Sequence, residues 1–393
     1  MSTAAPPLVE PASSVASPRR RRWQVALTAT FLVALVLPTL DLVVGLDPTP
    51  SPLRDVAAFP ALHLDRSLVK VPGQLLLYLK SNMGFRGALV RAHGLFAWKV
   101  LGVSPAPETV FRADPWLFLR SDHVAEEIRR VDPMSPAALE RWRAVLEARR
   151  DWLAKRGIKY LLVVAPDKET IYAEQVPPWF TRAPVPSRLG QLREMLERTH
   201  AVDFLDLTDA VAAQKANARV YHLTDTHWND AGAFAGYRAI TARLAAWFPA
   251  VAPLGPDGVE RESIVTRGGD LARVCGLQTD LLEPQVQGHL RPGLAAATFG
   301  DGAPITFERT DVHPRYDLET RSAGGEIASA IVVRDSFGEA LLPTLSRHFQ
   351  KARWLWTDDF PARAIEEQRP AVVIHELVER KLMGLEPANP PEL

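Results

Sequence analysis

Five short apolar runs, most of them parted by helical patterns, constrain the fold of this chain more than any other feature. The clearest is Ile158 to Ala165, a continuous β-branched-rich run that reads as a strand covered on both faces. A helix precedes it. Ser135-Pro136 starts that helix, apolar residues at 139, 142, 145, 146, 152 and 153 carry it to about Arg156, and Gly157 stops it. A helix near 187–199 leads into a second strand, Val202 to Asp206. After a further short helix, Asn229 or Asp230 caps a helix whose apolar face runs Tyr237, Ile240, Thr241, Leu244, Trp247 and Phe248. The later strands are Ile331-Val332-Val333, Arg353 to Thr357, and Ala371 to His375, separated by helices over 338–349 and 361–369. Strands alternating with helices predict a parallel sheet with helices on both faces, an α/β fold of three layers.

The 393 residues suit one large domain with additions. The chain is 47% hydrophobic and formally neutral, so a sizeable core is available and there is no basic footprint for nucleic acid. Cys275 is the single cysteine, which excludes an internal disulfide. Residues 1–22 form a tail ending in four arginines, Arg19 to Arg22. A mostly apolar run, 23–46, follows, interrupted by Pro38 and Asp41. Its length and basic flank predict a transmembrane signal-anchor with the N-terminus cytoplasmic. A cleaved signal peptide competes with that reading, although no clean A-x-A site precedes Asp47, and a buried core helix is the third possibility. Residues 47–80 read as a juxtamembrane linker, and 81–393 as the main domain. Asp114-Pro115 reads as a turn before a short strand at Trp116 to Leu119. Residues 249–328 are rich in Gly and Pro without sustained periodicity, so they read as an insertion of loops and hairpins.

Two distant segments carry the chemistry. His222 to Asn229 contains Asp225-Thr226-His227-Trp228, and Val332 to Gly338 contains Arg334-Asp335-Ser336-Phe337. An acid, a histidine and a serine in that chain order are what acyl transfer through a serine hydroxyl requires. Ser336 lies between a strand and a helix, where backbone N–H groups face a developing oxyanion; equally, Ser336 or Asp335 merely caps that helix. In an extended segment Asp225 and His227 point to the same side, so the acid can orient the imidazole. A rival reading makes His222, Asp225 and His227 metal ligands, but no fourth ligand is obvious. The G-x-S-x-G elbow is absent because position 334 is Arg. Lys168, at a strand's end, reaches the cleft or is a solvated loop lysine. Trp228 stacks on a sugar or fills core. Glu376, Glu379 and Arg380 follow the last strand, with a structural ion pair as the plainer role. Gly268-Gly269-Asp270-Leu271 is a loop candidate beside the site.

Across about residues 81–385 the chain resembles the SGNH-hydrolase-like alginate O-acetyltransferases, the AlgJ/AlgX type of bacterial exopolysaccharide acetylation. The resemblance rests on Gly84-Phe85-Arg86, Asp114 to Phe118, Pro166-Asp167-Lys168 with Ile171-Tyr172, Asp225 to Trp228, Gly269-Asp270-Leu271, and Arg334 to Phe337. It implies a three-layer, SGNH-hydrolase-like (flavodoxin-like) α/β domain with a central parallel sheet. It implies a catalytic triad of Asp225, His227 and Ser336, with the Ser336 N–H in the oxyanion hole, and no metal or organic cofactor. Lys168, Trp228, Arg334, Glu379 and Arg380 become candidate substrate-binding residues. The implied partners are a polysaccharide acceptor, a multi-pass membrane acyltransferase supplying acetyl groups, and other exopolysaccharide assembly proteins. The implied location is the bacterial inner membrane, single-pass, with the domain in the periplasm. No carbohydrate-binding module is evident near Leu382, which points to the anchored single-domain type. A carbohydrate acetylesterase with the same triad and a non-catalytic polysaccharide-binding protein are the alternatives.

Overall fold

The computed structural model describes residues 18–45, 57–60, 69–111, 116–180, 182–307 and 317–385. The chain divides into two compact units, Met1–Ala92 and His93–Leu393. The first is built from the helices Pro18–Val44 and Val71–Asn82, the latter falling where the sequence had suggested only a linker. Pro38 and Asp41 lie in the closing turns of the first helix. There the Gly84 N–H donates to the Pro38 carbonyl at 3.2 Å, and Asp41 is buried against Gly84, where a Cβ would fall 2.3 Å from the Asp41 Cβ.

Among the described residues no helix is long and apolar enough to cross a membrane. The stretch free of charge and proline, Trp23 to Leu37, is 15 residues against the ~20 that span a bilayer. The expected anchor over 23–46 therefore finds no support, and Leu46 lies outside the described residues.

Among its described residues the second unit carries eleven strands. In chain order they are β1 (Thr109–Phe111), β2 (Leu117–Leu119), β3 (Lys159–Ala165), β4 (Asp203–Asp206), β5 (Val259–Thr266), β6 (Glu283–Leu290), β7 (Thr298–Phe299), β8 (Leu318–Arg321), β9 (Ile327–Arg334), β10 (Phe349–Trp356) and β11 (Val372–Val378). Seven form the central sheet in the order β4-β3-β11-β9-β10-β8-β7. The first five run parallel, while β8 and β7 add to the edge antiparallel, so the sheet is mixed rather than wholly parallel. The antiparallel edge comes from the 249–328 insertion, whose strands β7 and β8 pair antiparallel and so need no crossover helix.

Alternation along the strands decides the layers. Leu161, Val163 and Ala165 of β3, with Val332 and Ile374, pack in one core with the helix Asp230–Ala245. Tyr160, Leu162 and Val164, with Ile331, Val333 and Val373, pack in the other with the helices Pro136–Ala154, Arg188–Thr199 and Ala362–Gln368. Both faces of the central strands are dry over 160–165 and 330–334, which is why these stretches read as largely unbroken apolar runs. Helix starts follow the expected caps. The Ser135 hydroxyl accepts from the Ala138 N–H at 3.1 Å, and Asn229 Oδ1 accepts from Ala231 and Gly232.

One helix differs from expectation. The stretch 338–349 is a chain of short turns, Phe337–Leu341, Leu342–Leu345 and Ser346–His348, and β10 begins already at Phe349. Pro343 has no N–H to give a continuous α-helix there.

Candidate active site

The loop between Val220 and Asn229 folds back on itself. Tyr221 and Trp228 form an isolated bridge, the His222 N–H reaches the His227 carbonyl at 3.2 Å, and the Asn229 N–H reaches the Val220 carbonyl at 3.0 Å. The tip of this loop is not extended, contrary to expectation. Asp225 instead meets His227 through a turn in which its Oδ1 accepts both the backbone N–H of His227 at 2.9 Å and the ring Nδ1 at 2.7 Å. With Nδ1 committed to the acid, Nε2 is the nitrogen available for proton transfer.

Three groups from elsewhere fix that tip. The Asp270 N–H donates to Asp225 Oδ2 at 2.9 Å, while Asp270 itself accepts from the Thr226 N–H at 2.8 Å and the Thr226 hydroxyl at 2.6 Å. Gly269 permits this closeness, since a Cβ there would lie 2.4 Å from the Asp225 Cβ. Glu283, fully buried at the start of β6, accepts from the Leu223 N–H at 2.6 Å, the Thr224 N–H at 3.1 Å and the Thr224 hydroxyl at 2.7 Å. Lys168 is 1% exposed and donates from Nζ to the carbonyls of Leu117, Leu223 and Asp225 at 2.6, 2.8 and 3.1 Å.

The charges follow these contacts. Burial alone would raise the Asp225 carboxyl, but His227, His222 and the Asp270 N–H outweigh it and hold the group well below the usual range. Asp270 moves the other way, pushed up by burial and by the neighbouring Asp225 charge. The acid that orients His227 is thus kept ionised. Asp225, His227 and Asp270 also lie close enough together to hold a cation. The expected rival set used His222 instead, yet His222 Nδ1 faces Glu283 at 3.6 Å. All four oxygens of Asp225 and Asp270 accept protein hydrogen bonds, and His227 Nδ1 is bonded to Asp225, so protein contacts hold the cluster together.

Ser336 follows β9 and precedes the Phe337–Leu341 turn. Asp335 shapes this corner. Its Oδ1 accepts the Phe337 N–H at 2.9 Å and its Oδ2 accepts the Val378 N–H of β11 at 2.8 Å. Phe337 N–H is therefore committed to Asp335. The two halves of the site meet through Phe337. Its ring lies 5.2 Å from the His227 ring, centroid to centroid, and its carbonyl accepts the Trp228 indole N–H at 3.1 Å. Ser336 also lines a cavity of about 580 Å³ together with Trp356, Arg380, Lys381, Asp122 and His123.

Several expected substrate-binding residues serve the framework instead. Trp228 is fully buried and presents no ring face to a sugar. Lys168 is the carbonyl-bridging cation described above, and burial, only partly offset by Glu169 and other acids, lowers its pKa to about 8. Arg334 is 1% exposed, lies 4.9 Å above the Trp356 ring and bonds the Asp335 carbonyl at 3.2 Å. Glu379 is buried, accepts from the Asp167 N–H at 3.0 Å and the Thr170 hydroxyl at 2.6 Å, and is pushed up to about 8 by burial and by Asp167. Arg380 pairs with Asp167 at 2.5 Å rather than with Glu379, and it alone of these five also lines the Ser336 cavity. Glu376 accepts weakly from the Asp335 N–H at 3.3 Å. Sequence reasoning missed Glu283, a single acid in an aperiodic stretch, whereas the Gly-Gly-Asp-Leu segment did mark Asp270.

Residues 110–296 match the family model of the SGNH hydrolase-like domain of acetyltransferase AlgX, a segment that includes Asp225 and His227 and ends before Ser336. Over 129 residues the chain is 30% identical to the probable alginate O-acetylase AlgJ of Pseudomonas aeruginosa. That match covers 32% of this chain and 30% of the relative, so it spans less than a third of the relative's length. The solved structure of Bacillus cereus PatB1 superposes with a TM-score of 0.51 at 15% identity, covering 70% of this chain and 97% of that one, which shows the shared fold. These likenesses, and the motifs that the site is built from, support an AlgJ/AlgX type of SGNH hydrolase-like acetyltransferase family for the chain.

Proposed function

We propose that this protein is an O-acetyltransferase that places acetyl groups on hydroxyls of an extracytoplasmic, alginate-like exopolysaccharide. The observation that carries the reading is the 2.7 Å bond between His227 Nδ1 and an ionised Asp225, set beside the Ser336 corner by the Phe337 contact. Ser336 Oγ attacks the donor carbonyl while His227 Nε2 takes its proton. The oxyanion rests on the Ser336 N–H, and the leaving group takes the proton back from His227 as the acetyl-serine forms. A sugar hydroxyl then gives its proton to Nε2 and attacks the acetyl-serine, restoring Ser336. Asp225 holds the ring tautomer and stabilises its charged form. Acid–base assistance of this kind contributes ~10²–10⁴-fold. The route needs no cofactor. A multi-pass membrane acyltransferase supplies the acetyl group, other assembly proteins of the polysaccharide work alongside, and the domain works on the periplasmic side of the inner membrane.

The test uses the full chain, a small acetyl ester and an oligosaccharide. Mass spectrometry should find acetyl on Ser336 and on the sugar, and Ser336→Ala should lose both while remaining folded. Full transfer by Ser336→Ala would sink the reading. Acetate release without sugar product would favour an acetylesterase using the same residues. Sugar binding that survives Ser336→Ala without any acetate release would favour a binding protein.

A further inference from the structure

Six residues other than glycine hold a positive φ among the described residues. Arg130, His200 and Arg369 are left-handed helix C-caps, a position that explains the conformation. Asp122 (φ 55°) and His123 (φ 63°) are the only consecutive pair, and no helix end requires them. His123 does precede the helix Val124–Arg129, but an N-cap residue ordinarily has an extended backbone, and the His123 side chain makes no capping bond. L side chains avoid the left-handed region, and two neighbours in it persist only where the surroundings impose it. Such outliers gather at functional sites. Here both residues are exposed, and both line the same cavity as Ser336, with Trp356, Arg380 and Lys381.

We propose that the Asp122–His123 turn is the wall of an acceptor subsite that holds a hydroxyl-bearing sugar ring against Ser336. This rests on the acetyl-transfer reading above and adds the place where the acceptor sits. The chemistry fits a polyol. A carboxylate accepts from sugar hydroxyls, and an imidazole both donates and accepts. Trp356 supplies part-exposed aromatic surface, and the paired cations supply further donors. Formation of the acetyl-serine from a small donor does not use this wall, so the two half-reactions separate.

The experiment takes the full chain with p-nitrophenyl acetate as donor and with cellopentaose or a pentameric oligouronate as acceptor. Asp122→Gly and His123→Gly keep the backbone conformation without strain and remove the side chains. Both should leave the nitrophenol burst unchanged and the melting temperature unchanged or higher. Each should raise the acceptor KM by about 10-fold, the worth of one good hydrogen bond to a sugar hydroxyl. His123→Asn tolerates the left-handed region and keeps a donor and an acceptor, so it should recover most of the loss. An unchanged acceptor KM in both glycine variants overturns the subsite and leaves the acetyltransferase reading standing. Loss of the burst in either variant also overturns it, because the turn would then belong to the nucleophile. A wild-type burst without transfer to either sugar favours the esterase and removes the subsite with it. No wild-type burst at all overturns both proposals.

Discussion

Replacing Glu283 with alanine should cost the protein on the order of 3–5 kcal/mol at neutral pH. The carboxylate is fully buried and accepts two backbone N–H groups and the Thr224 hydroxyl at 2.6 to 3.1 Å. Alanine leaves those three donors in a dry place, at about 1–3 kcal/mol for each orphaned group before relaxation. Arg219, 3.2 Å away, has a side chain 25% exposed, finds water and adds little. A second route gives a similar size. Burial would raise the Glu283 carboxyl, but His222, Thr224 and the Leu223 N–H outweigh it and hold the pKa at about 2 against an ordinary 4.5. That difference corresponds to roughly 3 kcal/mol of stability tied to ionisation. The group is depressed in the folded state, so this stability is present above about pH 4.5 and is lost as pH falls towards 2. Equilibrium urea unfolding of wild type and Glu283→Ala, at neutral pH and then down an acid series, reads both quantities. The variant should lose several kcal/mol at pH 7 and show a flatter acid slope. A loss below about 1 kcal/mol with an unchanged slope would refute the reasoning, because it would mean the loop finds other acceptors.

Three further outcomes follow from the same geometry. Asp225→Asn should keep the fold and lower acetyl transfer by about 10³–10⁴-fold, since the amide no longer enforces the ring tautomer; a loss under tenfold, read from single-turnover rates, would exclude Asp225 from that role. Gly269→Ala places a methyl 2.5 Å from Asp225 Oδ2, so it should displace the acid and cost roughly 10²-fold in turnover. Unchanged turnover in that variant would mean the Asp270 loop moves freely. Glu379, raised to about 8 by burial and by Asp167, holds its proton where the unfolded chain has lost it. Its contribution to stability therefore falls as pH rises from about 4.5 to 8. Glu379→Gln should remove that slope and stabilise the protein at pH 8, and a thermal-melting series with the slope intact would count against it.

The sheet was legible because burial on both faces leaves a strand no freedom in composition. Tyr160 to Ala165 and Ile331 to Val333 are apolar at every position for that reason, and β3 and β9 lie where the runs do. The residues of β5 are mostly exposed, so Val259–Thr266 mixes Glu, Arg and Ser with Ile and Val and gave no periodic signal. The parallel expectation failed at the edge for the same reason, since β7 and β8 are too short to leave a pattern. At the site, the Asp225 and His227 pairing could be read from their spacing, although the contact arises from a turn and not from an extended segment. Lys168 and Trp228 invited a substrate role by residue type. Only the tertiary structure could show that one is enclosed by carbonyls and the other by core. Glu283 was invisible, because a buried acid that caps a remote loop leaves no mark on its own neighbours in sequence.

The β5–β6 hairpin, which pairs Val259–Thr266 with Glu283–Leu290, bears on the order in which the molecule matures. Ser336 follows a strand of the sheet itself, whereas the Asp225–His227 loop is clamped by Asp270 and Glu283, which sit at the closed end of that hairpin, in its connecting segment and at the start of its second strand. The clamps reach from 44 to 60 residues downstream of the groups they hold. A chain whose sheet has condensed but whose hairpin has not yet docked would own the proposed nucleophile before the proposed base. Such a species would hold its sheet yet lack the clamped Asp225–His227 pair, so acetyl transfer by the proposed route would wait for the hairpin to dock.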